Sequence, residues 1–583
     1  MFIHQFNPMK HLLYSLFTMM MLLTIVTSCK ESDPVVDQEE KGTLISATYS
    51  AYSSTFILTY SSGQTETVKA TLNRNTTPPS ASTELEDGTY LYKADASTSG
   101  KAEISDGPPV VNTNEHKYVN DWIYEEMSIY YLWNTKIPKN PDFTQFPADF
   151  FDSILNKYNA SSNPDGDRFS WIQENYTDLL KSLTGVSSDE IGFEYVPVSI
   201  TGTDYVYFLV LYARPDTDAE AKGISRGRWV TKVNGQNITT SNYRDVFSGT
   251  GSKTLGMADW TLDSSVGPDD EDYPSYELSG SGDVTIQMHS NYAENPIHMD
   301  SVYTVGSQKV GYLVYNFFAR DNGDNSNSYD KQLMDRLSSM QSQGITDMVL
   351  DLRYNSGGAV SSAIALSSAL VKDRSTDNIL VTSEYNNIIH NSLKNQYGAD
   401  YNKEYFIDKI EGTSYPIPAL NLPRLYVLVK EWTASASEFV INGLSPYMEV
   451  TLIGETTYGK NVGSISIYEE NDPQNKWGMQ PIIVRYANSL DFYDFTAGFT
   501  PDYEVDEFAD LYLYPFGDSN DPMLGKALSL ITGTTRSTSV KAVHTPFRSS
   551  QVERLATERM LKPYRFDMQD DIRGEEIKRV IKK

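Results

Sequence analysis

The chain opens on an apolar run, residues 12–26 (LLYSLFTMMMLLTIV), with Lys10 before it and small residues after it. A membrane-crossing helix needs about 20 apolar residues, so this shorter run has the layout of a secretory signal. A charged stretch at 29–41 follows and predicts an extended acidic tether with nothing to bury. Over 42–106, Ser, Thr and Tyr alternate with aliphatic residues (SATYSAYSSTFILTYSSGQTETVKATL), and Ser62-Gly63-Gln64 falls between two such runs. Period-two alternation broken by a turn predicts a small antiparallel β-domain. GPPVVNTN at 107–114 interrupts the pattern. Residues 115–187 then set aromatic and aliphatic side chains at helical spacing (VNDWIYEEMSIYYLW, FPADFFDSILNKY), which predicts amphipathic helices with their aromatic stripes in the core.

Residues 188–262 return to β character. They are followed by an acidic, Gly/Ser-rich stretch (SSVGPDDEDYPS, then SGSGD) that reads as a solvated loop. Asp269, Asp270, Glu271 and Asp272 match no Ca²⁺-loop spacing. Over 300–535 the pattern becomes alternating. KVGYLVYNFF, ITDMVLDLRY, LYVLVK and VTLIG are short continuous apolar runs. SYDKQLMDRLSSMQSQ, SSAIALSSALV and SEFVINGLSPY lie between them at helical period, with Leu333, Leu337 and Met340 on one face and Gly344 as the stop. Buried strands alternating with helices predict a largely parallel layer covered by helices. The tail, 536–583, is polar and locally basic, with one amphipathic helix expected near 551–561.

Composition narrows the classes. The 583 residues leave room for roughly three to five domains. A net charge of −29 repels phosphate backbones and argues against a nucleic-acid partner. The single cysteine, Cys29, excludes an intrachain disulfide. There is no HExxH and no Cys/His cluster, so no metal is expected. GTGSKT at 249–254 lacks the ending of a phosphate loop, and no nucleotide or other cofactor is called for.

The candidate chemistry lies in the third strand-to-helix crossing, LYVLVKEWTASASEF. Ser435 falls at the N-terminus of the following helix, where unpaired N–H groups and the macrodipole favour developing negative charge, and Ala436 N–H is placed to donate. The next strand ends in GETTYGK, and successive C-terminal strand ends lie close together, so Lys460 can reach Ser435. A lysine accepts a proton only when neutral, which burial among apolar groups favours; Leu452, Tyr458 and Val462 are the nearest apolar residues in sequence. None of the seven histidines has a catalytic context, and no G-x-S-x-G occurs. Taken alone, Ser435 and Lys460 read more simply as a helix cap and a surface lysine. A Ser–His variant using His390 also stays open.

Three resemblances change that balance. Val26-Thr27-Ser28-Cys29 looks like a bacterial lipobox. This implies cleavage of a lipoprotein signal, residues 1–28, and lipidation of Cys29, hence attachment to a membrane of the cell envelope. GISRGRWVTKVNGQNIT resembles a PDZ domain through Gly223, Ile224, Gly227, Val230, Val233, Asn234 and Gly235, with Arg228 where an Asp is usual. The PDZ-like region, 188–262, would take a peptide as an added strand and catch its terminal carboxylate near Gly192 and Phe193. MVLDLRYNSGG, TASASE and GETTYGK, in that order, resemble the blocks of the S41 peptidases, the C-terminal processing (tail-specific) proteases.

That family likeness implies a multidomain α+β protein with a ClpP/crotonase-like core. It implies a serine endopeptidase without cofactor or metal, acting on protein or peptide substrates recognised through their C-termini. Ser435 would be the nucleophile and Lys460 the general base. Gly357, Gly358 and Ala436 would supply oxyanion amides. Many members carry a Gln four residues after the lysine; here Ser464 takes that Lys-orienting place. The alternative is a proteolytically inactive lipoprotein of the same fold that binds peptides or glycans.

Overall fold

A computed structural model describes residues 43–105 and 116–533, apart from 52–53, 63, 74–79, 86–88, 94–95, 97–98, 184–185, 188–189, 250, 271–274 and 291, together with 545, 552–555, 568–569 and 571–581. The signal, the tether with Cys29, Gly63 of the expected turn and the 107–114 linker lie outside the described residues.

The alternating segment 43–105 folds as two four-stranded antiparallel sheets, one holding Leu44–Ser50 and Thr55–Tyr60, the other Ser80–Glu84 and Tyr90–Lys93. Their inward residues, among them Tyr49, Phe56, Leu58 and Leu91, form a separate small core. Two helices follow, α1 (Lys117–Tyr130) and α2 (Pro147–Ser153). Their aromatic stripes join the main core through Ile123, Met127, Phe150 and Phe151. Trp171–Gln173 then pairs with Gly478–Gln480, stitching this segment to the far end of the chain.

The next unit is an antiparallel sheet: β1 (Phe193–Ile200), β2 (Val206–Ala213), β3 (Trp229–Val233), β4 (Ser252–Leu262) and β5 (Tyr276–Gln287). The acidic stretch expected to be a loop forms turns over 264–270, but its later part is paired in a long hairpin. Ser279–Asp283 lies inside β5, with Gly280 facing Ala258 and Asp283 facing Gly256. Eleven register partners along the hairpin outweigh the weak strand preference of its glycines.

Two six-stranded sheets make the core of the molecule. The first runs β6 (Ile297–Val305), β7 (Gln308–Tyr315), β8 (Asp347–Asp351), then Arg424–Val429, Glu449–Gly454 and Tyr503–Glu504, parallel from β7 onward. Its central strands are apolar on both faces because helices cover them: α3 (Ser328–Ser342) buries Leu333, Leu337 and Met340, and Gly344 follows it at φ 77°. The second sheet begins at β9 (Gly358–Ala359), from which α4 (Val360–Leu370) departs, and includes β10 (Ile379–Tyr385), followed by α5 (Asn387–Tyr397). Later in the chain come β11 (Arg424–Val429), α6 (Ala436–Leu444), β12 (Glu449–Gly454), β13 (Val462–Ser464), β14 (Ile482–Asn488) and α7 (Pro522–Thr532). Every residue of α6 is buried, as expected of a helix between two layers.

The tail contributes β15 (Val552–Arg554), β16 (Met568–Gln569) and α8 (Asp571–Ile581). The helix expected near 551–561 is therefore not formed at 552–554; the remaining residues after Leu555 lie outside the described set. A short isolated helix is marginal, whereas the open edge of β1 offers a row of main-chain partners. β15 pairs antiparallel with that edge, and Leu555 packs on the core of the antiparallel sheet.

Candidate active site

β11 and β12 are parallel neighbours, so the turns after them leave the sheet at the same end. The turn after β11 brings the chain to Ser435 at φ 63°, ψ −117°. A residue with a Cβ avoids this conformation at roughly 1–3 kcal/mol, and it persists only where surroundings fix it. They do: Ala434 N–H and Ser437 Oγ both donate to the Asn355 carbonyl, at 3.2 and 3.0 Å, and Ser435 N–H donates to Glu438 at 2.9 Å. Ser435 Oγ is buried and has no hydrogen-bond partner among the described residues. The sharp strand-to-helix elbow is thus present with Thr433 and Ser437 at the positions where glycines usually mark it, and with small Ala434 and Ala436 flanking the serine. Ala436 is the first helical residue, so its N–H has no acceptor within α6.

Lys460 follows β12 on the glycine turn at Gly459, φ 89°. It is fully buried, with Nζ 4.8 Å from the centre of the Phe169 ring. The apolar wall includes Phe169, which packs with Val462, one of the residues expected there, and with Ile482, and whose ring lies 6.0 Å from that of Tyr458. Tyr458 is partly exposed. Arg168 holds the turn from the same side, donating to the Gly459 and Thr496 carbonyls at 2.5 and 3.1 Å.

Glu438 joins the two turns. One carboxylate oxygen accepts from Ser435 N–H (2.9 Å) and Lys460 N–H (2.8 Å), and the other from Gly459 N–H (2.7 Å) and Thr457 Oγ1 (2.6 Å). The two backbone nitrogens can be no further apart than those two bonds laid end to end. Burial pushes the Glu438 carboxyl above its ordinary range, and the four donors pull it back.

The Gly357-Gly358 turn lies against Ser435. A Cβ on Gly357 would sit 2.5 Å from Ser435 Cβ and 2.8 Å from its Oγ, and one on Gly358 would sit 2.0 Å from the Phe318 carbonyl oxygen. The Gly357 N–H, expected as an oxyanion donor, already donates to Asn355 Oδ1 at 2.9 Å. The role this geometry leaves Gly357 is room for Ser435. Gly358 is in register with Met568 of β16. Ser464 Oγ, expected to orient Lys460, donates to the Met568 carbonyl at 3.4 Å. His390 lies on α5 with Nδ1 2.6 Å from the Tyr401 hydroxyl.

Beneath the site lies a buried ionic network. Arg353 contacts Asp351, Glu507 and Asp521, each at 2.8 Å, and Arg226, from the turn before β3, reaches Glu507 at 2.8 Å and the Tyr354 hydroxyl at 2.6 Å. Lys430, just before the Ser435 turn, pairs with Glu455 at 2.6 Å. Burial, together with Glu431, raises Glu455 to about 7.

At the other expected binding position, Gly192 adopts φ 89° and Phe193 is buried in the antiparallel sheet's core. The Gly192 N–H donates to Glu190 at 3.1 Å, and its carbonyl accepts from Arg214 N–H at 2.9 Å. Arg214 is buried among Glu190, Glu194 and Glu294.

A serine in a strained elbow, a buried lysine and a glycine turn at the C-terminal ends of parallel strands define a serine-peptidase class of site. Residues 309–505 match the model of peptidase family S41, and residues 118–171 match the peptidase S41 N-terminal domain. A carboxyl-terminal-processing protease of Picosynechococcus sp. is 24% identical over 372 residues, covering 63% of this chain and 78% of that protein. The carboxy-terminal processing protease CtpA of Bacillus subtilis is 26% identical over 255 residues, and the chain spans 44% of its length and 44% of its own. A crystal structure from Bacteroides fragilis NCTC 9343, assigned to the S41 proteases, superposes with TM-score 0.58 at 26% identity, covering 74% of this chain and 99% of that one. Residues 118–171 and 309–505 are thus similar to peptidase family S41.

Sequence reasoning passed over Glu438, Asn355, Phe169 and Arg168. Glu438 carries a signal, an acid three residues after the serine on which a helix opens, but that spacing reads as a helix cap and not as a tie to Lys460.

Proposed function

We propose that the chain is a processing endopeptidase of the cell envelope, with Ser435 as nucleophile and Lys460 as general base. The observation that carries this reading is Glu438, whose single carboxylate ties the main chain of the strained serine to that of the buried lysine. An amine held out of water is disfavoured as the ammonium and can accept a proton. Lys460 Nζ takes the hydroxyl proton as Ser435 Oγ attacks the scissile carbonyl carbon. The oxyanion is met by the Gly358 and Ala436 amides. The lysine then gives the proton to the leaving amine, and an acyl-enzyme remains. Water, deprotonated by the same lysine, releases the acid.

Polypeptide substrates would add as a strand to β1 of the PDZ-like unit. The engaged Gly192 amide leaves terminal-carboxylate capture to other groups. Cys29 would carry the lipid anchor, and metabolic acyl labelling lost in Cys29→Ala tests it. For the chemistry, the chain from Lys30 onward is compared with Ser435→Ala and Lys460→Ala on unfolded casein. Each variant is expected to lose 10³-fold or more in kcat, in the order of about 4 kcal/mol of transition-state stabilisation. Equal cleavage by all three forms removes the assignment.

A further inference from the structure

The two short strands of the tail occupy two peptide-binding edges at once. β15 lies antiparallel on β1, with Val552 facing Ile200, Glu553 facing Ser199 and Arg554 facing Val198, and Leu555 N–H donates to the Pro197 carbonyl at 2.8 Å. Its residues therefore run toward the Gly192 end of β1, the direction a bound C-terminal peptide takes on such an edge. β16 lies in the second sheet between β9 and β13. Gly358 pairs in parallel with Met568, Ala359 with Gln569, and Ser464 with Gln569. β9 is continuous with Gly357, which abuts Ser435, and β13 begins two residues after Lys460. A segment in that slot bridges the serine half of the site and the lysine half. Met568 is fully buried there. α8 anchors the segment: Ile577 is buried in the main core, and Arg573 donates to Glu404 at 2.5 Å and to the Tyr401 carbonyl at 3.0 Å.

We propose that the C-terminal segment is a built-in pseudo-ligand, with 552–555 on the strand-addition edge of the PDZ-like unit and 568–569 in the peptide slot of the Ser435–Lys460 site. This rests on the peptidase reading above. The ladders are three and two residues long, and an incoming extended chain offers equivalent main-chain bonds, so exchange is nearly balanced per bond. A tethered segment acts at an effective concentration on the order of millimolar, so a chain engaging one edge alone is outcompeted and one engaging both displaces the segment. The site then favours long unfolded polypeptides over short peptides.

The test uses the chain from Lys30 onward, which has no cysteine of its own. Ser199→Cys with Glu553→Cys joins register partners on the open face; oxidation holds β15 down and dithiothreitol frees it. If the segment then blocks the site about nine-tenths of the time or more, the oxidised form cleaves unfolded casein about tenfold more slowly than the reduced form. Leu555→Asp with Met568→Asp is expected to raise kcat/KM several-fold. A fluorescent peptide copying residues 550–572 is expected to bind that released variant about tenfold more tightly than the oxidised lock. Equal cleavage by oxidised and reduced forms, with equal peptide binding, overturns the proposal; if the released variant does not fold, the disulfide pair and peptide binding to its two redox forms decide. If no form cleaves casein and Ser435→Ala changes nothing, the peptidase reading fails, while the peptide-binding contrast still decides the tail.

Discussion

At the residue scale, the site turns on how dry one amine is kept. The Phe169 ring lies 4.8 Å from Lys460 Nζ and forms part of the wall that buries it. Phe169→Ala opens that wall to water and should lower kcat/KM about tenfold at pH 7, with a modest change in melting temperature. An unchanged kcat/KM would mean that the ring is only packing. A second buried group carries its signature in stability. Asp330, at the start of α3, is raised to about 7 by burial. Its folded pKa lies above its unfolded one, so its contribution is complete below pH 4 and is lost as pH rises through 7, by at most about 4 kcal/mol. Asp330→Asn should gain on the wild type steadily between pH 4 and pH 8 in denaturant titrations; a constant difference would show that Asp330 is not the titrating group.

At the scale of elements, the two glycines of the 357–358 turn make opposite predictions from the same kind of change. The nearest obstacle to a Cβ on Gly357 is the Ser435 side chain, whereas Gly358 faces backbone, the Phe318 carbonyl. Gly357→Ala should therefore displace the nucleophile, losing about 10²-fold in kcat with a modest change in melting temperature. Both positions are left-handed, at φ 111° and 131°, and share that strain; Gly358→Ala in addition forces backbone apart and should lower the melting temperature further. Similar thermal losses for both would refute the distinction. Elements also show what the sequence made legible. Continuous apolar runs such as LYVLV and VTLIG are readable as covered strands because burial on both faces leaves no alternation. The elbow at Ser435 is readable in place but not in shape, since Thr433 and Ser437 stand where the glycines of G-x-S-x-G give the usual sign. Strands of two or three residues, such as β15 and β16, are too short to carry a period and are set by the edges they meet. Phe169 reaches Lys460 across 291 residues of chain, the separation of the Arg168–Gly459 bond beside it, and no local pattern encodes such a meeting.

At the scale of the whole molecule, one buried carboxylate is shared by three segments that sequence places far apart. Glu507 accepts from Arg226, Arg353 and the Tyr354 hydroxyl, each at 2.8 Å, with Lys430 at 3.7 Å. Arg226 belongs to the antiparallel unit. Arg353 and Tyr354 immediately precede Asn355, which positions both the glycine turn and the Ser435 elbow. Burial alone would raise Glu507, but Arg226, Lys430 and Arg353 outweigh it and hold it well below the ordinary carboxylate range. A depressed folded pKa contributes stability that is present above the unfolded value of about 4.5 and is lost as pH falls through the folded one. Glu507→Gln should therefore cost about 3–5 kcal/mol at pH 7, because it leaves buried cations short of charge. The gap to the wild type should hold down to about pH 5 and narrow below pH 4. Because the severed contacts join the antiparallel unit to the core, the variant should also unfold in two steps where the wild type unfolds in one. Calorimetry at pH 7, 5 and 3.5 reads both effects. A single transition with a gap independent of pH would mean that the carboxylate neither couples the two units nor titrates with the fold.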